Sequence, residues 1–100
     1  MNILIVEDNA TDRELLLECL VESFMRDAKF RIASDLATAL DYLNRVLDGE
    51  PFFDVVLLDL HLPDSSGMGT FASIRAKHPD TPIVVLSHSK DRDLAVELIR

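Results

Sequence analysis

A single cysteine, Cys19, is all the thiol chemistry this chain has. One thiol closes no internal disulfide, so oxidising export brings no benefit. Inside an apolar helical pattern it reads as a small buried hydrophobe. Bases are scarce too: 10 Lys and Arg against 18 Asp and Glu leave a formal net charge of −8. A basic patch is the footprint of nucleic-acid binding, so direct contact with nucleic acid is not expected. No basic start precedes an apolar signal core, and no apolar stretch approaches the ~20 residues that span a bilayer. The expected setting is the cytoplasm, away from membranes. Also missing are a Cys/His cluster for zinc, a glycine-rich phosphate loop of Walker type, internal repeats and low-complexity tracts.

What is present is ordinary globular material. The chain has 100 residues, 48% of them hydrophobic and 28% charged, enough for one domain with one core. "NILIV" at 2–6 is the β-branched run of a strand buried on both faces. Thr11 and Glu14 have capping-box spacing, which starts a helix there, with Leu16, Leu17, Leu20, Val21 and Phe24 on its apolar face. "KFRIA" at 29–33 alternates, as an edge strand does. Asp35 suits the N-cap of a second helix facing inward through Leu36, Leu40, Leu43 and Leu47, with Gly49 and Pro51 beyond its end.

"DVVLL" at 54–58 is a third strand, "HLPDSSG" a loop in which Asp64 serves a turn, and Met68–Lys77 a third helix ended by His78 and Pro79. "TPIVVLS" at 81–87 is a fourth strand, after which Ser89 or Asp91 caps a fourth helix still running at Arg100. Strict alternation predicts an α/β domain: right-handed crossovers, a doubly wound parallel sheet, and helices on both faces.

In such sheets the site lies beyond the carboxyl ends of the strands, at the switch in strand order. Glu7 and Asp8 follow the first strand, Asp59 ends the third, and Ser87 closes the fourth. In the order 2-1-3-4 these ends are neighbours, and their side chains converge. Three carboxylates that close repel one another, and a hard, oxygen-liganded cation such as Mg²⁺ relieves the conflict. A carboxylate beside that ion can attack a phosphoryl group.

The acidic pair Glu7–Asp8 together with "LLDLHLPDSSG" resembles the receiver domain of bacterial two-component response regulators, a CheY-like, flavodoxin-like fold. The likeness runs from Asn2 to the end of the chain and includes Pro63 and Gly67. It implies that Asp59 is the phosphoacceptor, Asp8 a direct Mg²⁺ ligand and Glu7 a ligand through water. His61 would ligate through its backbone carbonyl, and Ser87 would touch the phosphoryl group. Implied partners are a sensor histidine kinase or phosphotransfer protein, an output domain or downstream protein, and a second copy of the chain. Such a module is a signal carrier more than a metabolic enzyme.

Two departures matter. His88 stands where the family carries a small residue, and its bulk is expected to slow entry of donor or water. The family's fifth strand, with its lysine, finds no match, so residues 1–100 read as a receiver domain incomplete at the C-terminus, from a longer parent, with "IVVL" left as an open edge. These departures keep a rival open: a non-phosphorylated pseudo-receiver that serves as an interaction module. A phosphatase of the haloacid dehalogenase type needs a second acid two residues after Asp59, where His61 stands.

Overall fold

The computed structural model describes residues 2–23, 27–45, 52–88 and 94–99; of 21–23, 87–88 and 94–99 it describes the backbone alone. The strands are β1 (Asn2–Val6), β2 (Lys29–Ala33), β3 (Val55–Asp59), β4 (His61–Leu62), β5 (Ser65–Ser66), β6 (Ile83–His88) and β7 (Leu94–Ile99); the helices are α1 (Ala10–Ser23), α2 (Leu36–Arg45) and α3 (Met68–Lys77). β2, β1, β3 and β6 lie side by side in that order, all parallel, as the alternation predicts.

β1 and β3 are apolar because both of their faces are covered. Leu4, Val6, Val56 and Leu58 turn to one side, where Ala39 and Leu43 of α2 and Ile74 of α3 meet them. Ile3, Ile5 and Leu57 turn to the other, against Leu16 of α1. β2 has one neighbour, the edge position that its alternating pattern predicts, although Ile32 is 36% exposed and Ala33 is the buried residue of the strand. Asp54 fixes where the sheet begins: its Oδ2 accepts from the Asn2 amide at 2.7 Å.

Three local expectations change. The cap of α1 is Asn9, whose Oδ1 accepts from the Asp12 amide at 3.0 Å, so the Thr11–Glu14 box lies inside the helix. Asparagine outranks threonine at this position. Cys19 is exposed. At about 100° per residue it sits some 300° around from Leu16, outside the arc that Leu16, Leu17 and Leu20 turn inward. Asp35 does cap α2, accepting from the Thr38 amide at 2.7 Å. Leu47 and Gly49, predicted on and beyond that helix, lie outside the described residues.

The largest change is at the C-terminal end. Residues 94–99 form β7, antiparallel to β6, where the sequence predicts a helix and an open edge. "LAVELI" satisfies helical spacing and strand composition equally, as short apolar runs do. The row of unpaired amides and carbonyls on β6 decides the outcome, because pairing satisfies it. The sheet therefore has five strands, with β7 closing one edge. Ser89 and Asp91, named as helix caps, lie outside the described residues.

"HLPDSSG" is more than a loop. β4 and β5 pair His61 with Ser66 and Leu62 with Ser65 around a turn at Pro63 and Asp64. The turn carries Asp64 across to α2, where its carboxylate accepts from the Leu36 amide at 2.8 Å and the Ala37 amide at 3.0 Å. These two bonds, the Leu36 one first, hold the Asp64 carboxyl below its ordinary range. Gly67 then reverses the chain into α3 at φ 67° and ψ −159°, a region that is essentially glycine-only. A Cβ there would meet no atom within 4 Å, so the cost of Gly67→Ala is backbone strain alone. The expected loss is about 1–3 kcal/mol, read from the urea midpoint at unchanged slope.

Candidate functional site: an acidic pocket at the carboxyl ends of the strands

β1 and β3 run in register, Val6 beside Leu58, so the residues just past them emerge together. Glu7, Asp8 and Asp59 each offer a carboxylate oxygen, and these oxygens lie within 4.8 Å of one another. Glu7 is 2% exposed and Asp59 5%, while Asp8 faces solvent. Two nearly buried acids and one at the mouth form a pocket open on one side.

Local bonds hold Asp59 and Glu7 in place. The Asp59 Oδ1 accepts from the His61 amide at 3.0 Å, and the Gly67 amide reaches the Leu60 carbonyl at 2.8 Å. Glu7 donates its own amide to the Ala33 carbonyl at 3.0 Å, while its Oε1 accepts from the Asn9 amide at 3.1 Å. Arg13 closes the near side, its guanidinium 3.3 Å from the Glu7 carbonyl and 3.4 Å from the Ser34 hydroxyl.

The electrostatics follow from this crowding. Burial pushes the Glu7 carboxyl up to about 8; the Asn9 amide works against that, and the neighbouring Asp59 adds to it. Glu7 thus holds a proton where a free glutamate would have lost it. Three oxygen donors without nitrogen or sulfur, two of them desolvated, suit a hard divalent cation such as Mg²⁺ better than zinc.

Ser87 lies near the end of β6, one residue past Leu86, the register partner of Asp59. Its side chain and that of His88 are outside the described residues. His61 is exposed and begins β4, and it is the amide of His61 that contacts Asp59. Sequence patterning did not single out Asn9, Arg13 or Thr70. Thr70 is fully buried on α3, with its hydroxyl 2.6 Å from Ser65 Oγ, which ties that helix to the loop after Asp59. The signal for Asn9 was present, since it directly precedes the first helical residue. Nothing in the local pattern marks Arg13 or Thr70. Among the described residues no helix is long and apolar enough to cross a membrane.

Comparison with known proteins agrees with this fold. A model of the response regulator receiver domain matches residues 3–100. The chain is 30% identical over 98 residues to the cell cycle transcriptional regulator CtrA of Caulobacter vibrioides, covering 97% of this chain and 38% of that one. The phosphorylated cyanobacterial phytochrome response regulator RcpA superposes with TM-score 0.74 at 32% identity, over 89% of this chain and 66% of that one. The Mn²⁺-bound response regulator Rcp1 does so with TM-score 0.70 at 34% identity, over 90% of this chain and 68% of that one. Against the curated relatives LuxO of Vibrio vulnificus and CtrA, the match spans 10% and 38% of their length. With its sheet order, its acidic pocket and a match along nearly its whole length, the chain belongs to the response regulator receiver domain family.

Proposed function

We propose that the chain is a phosphoacceptor switch, with Asp59 receiving a phosphoryl group from a sensor histidine kinase or phosphotransfer protein. The observation that carries this is the convergence of Glu7, Asp8 and Asp59 within 4.8 Å at the ends of adjacent strands. Asp8 would bind Mg²⁺ directly, Glu7 through a water, and the backbone carbonyl of His61 would complete the protein's share. Mn²⁺ bound to the similar Rcp1 supports a divalent ion here. When bound, the ion supplies positive charge to the transferring phosphoryl oxygens.

The chain's own groups do the rest. A carboxylate oxygen of Asp59 attacks phosphorus, the bond from phosphorus to the donor atom breaks, and the donor leaves with the electron pair. The His61 amide orients the Asp59 carboxylate through its Oδ1. The hydroxyl of Ser87 would contact the transferred group. The charge then biases a surface read by an output domain or downstream protein.

Incubation with Mg²⁺ and acetyl phosphate tests this. The expected product is one phosphoryl adduct, acid-stable and base-labile, lost when EDTA is present. No adduct would favour the interaction-module reading, and turnover of unrelated phosphate esters would favour a phosphatase.

The pocket also predicts a pH signature. The folded state holds the Glu7 proton up to about 8, against 4.5 for the free group. Stability from this group is therefore full below pH 4.5 and is lost as pH rises through about 8. A divalent cation competes with that proton, so it binds better as pH rises. The melting-temperature increment given by Mg²⁺ should be larger at about pH 8.5 than at about pH 6, and Glu7→Gln should flatten the difference. An increment independent of pH in the unsubstituted domain would count against the assignment of Glu7.

A further inference from the structure

The acids gather at the carboxyl ends of the strands; the opposite end of the sheet is built differently. There, where β1, β2 and β3 begin, a cleft of about 250 Å³ is lined by Lys29, Phe30, Arg31, Tyr42, Arg45 and Phe53. Three of the chain's 10 basic residues and three of its six aromatic residues meet at this one place, in a molecule of net charge −8. The arrangement is ordered. The guanidinium of Arg31 stands 5.6 Å from the centre of the Tyr42 ring and that of Arg45 5.4 Å from it. Asp41 anchors Arg45 at 2.9 Å, and this is the only ion pair among the described residues. No carboxylate of the described residues pairs with Lys29 or Arg31.

Stacked guanidinium groups and half-buried rings form a surface for π-systems, and unpaired cations form one for anions. The volume lies below the roughly 300–1,000 Å³ of drug-sized pockets, which limits the occupant to one ring system with one anionic group. We infer that this cleft binds a small planar aromatic anion, of the chemical class of a nucleoside monophosphate. Its ring lies against Tyr42 and Phe53, and its anionic group on Lys29 and Arg31. The site is separate from the acidic pocket, where such an anion is repelled, and the inference does not depend on phosphorylation of Asp59.

The test uses the metal-free domain, titrated with adenosine monophosphate and followed through its backbone amides by NMR. Saturable shifts should appear at residues 29–31, 42–45 and 53, with adenosine alone and inorganic phosphate alone each at least about tenfold weaker, or about 1.4 kcal/mol. Arg31→Ala, at an exposed position, and Tyr42→Leu, which keeps apolar bulk, should each weaken binding by about tenfold or more. Three results would overturn the inference: no saturable shift, shifts scattered over the surface, or phosphate binding as tightly as the nucleotide. Unchanged affinity in both variants, with fold intact, would overturn it as well.

Discussion

Asp59→Asn should leave the domain unlabelled by acetyl phosphate in the presence of Mg²⁺, while Asp54→Asn should be labelled like the unsubstituted chain. The carboxamide has no anionic oxygen to attack phosphorus, and the rate of transfer falls by on the order of 10³ or more. The loss is chemical and not structural, because an asparagine Oδ1 can still accept from the His61 amide that the carboxylate now binds at 3.0 Å. Circular dichroism should be unchanged. The substitution removes one carboxylate from the acidic group, so Mg²⁺ affinity should fall; it also removes one of the charges that holds the Glu7 proton in place, so that affinity should depend less on pH. Asp54 is the apt control: it lies on the same strand approach, but its carboxylate serves the Asn2 amide at the other end of β3. Intact mass after exposure to the phosphodonor reads the result, and labelling that persists in Asp59→Asn would move the acceptor to another acid.

Leu58→Ala is expected to cost about 2–5 kcal/mol, a large share of the ~5–15 kcal/mol that holds a domain of this size together. Leu58 is fully buried, and its backbone lies between Val6 and Val85. Its side chain belongs to the cluster that joins the sheet to α2 and α3, so the cavity cannot collapse by moving one helix. Urea unfolding should show a lower midpoint at unchanged slope. Leu15→Ala, at a position 54% exposed, should stay within about 0.5 kcal/mol, and equal effects at the two sites would contradict the packing described above.

The parts of this molecule that could be read from sequence are those fixed by burial. β1, β3 and β6 announce themselves because a strand covered on both faces must be apolar throughout, and the acids that end β1 and β3 are conspicuous against that background. Their convergence follows from strand order. Features decided by competition were not legible. Asn9 and Thr11 both offer a cap, and only the backbone's turn after Asp8 selects Asn9. Residues 94–99 can be written as helix or strand, and the unsatisfied edge of β6 selects strand. Long-range polar bonds were the least visible. Asp64 looks like a turn residue because its partners, the amides of Leu36 and Ala37, lie far back in the chain.

That last contact joins two segments into one mechanical unit. The hairpin that begins two residues after Asp59 holds the first turn of α2 by two amides. Displacing the hairpin uncovers the helix terminus, and fraying the terminus releases the hairpin. The two openings are expected to be linked, and the amides of Leu36 and Ala37 should exchange together with those of the hairpin. One carboxylate thereby fastens the loop that follows Asp59 to the start of α2.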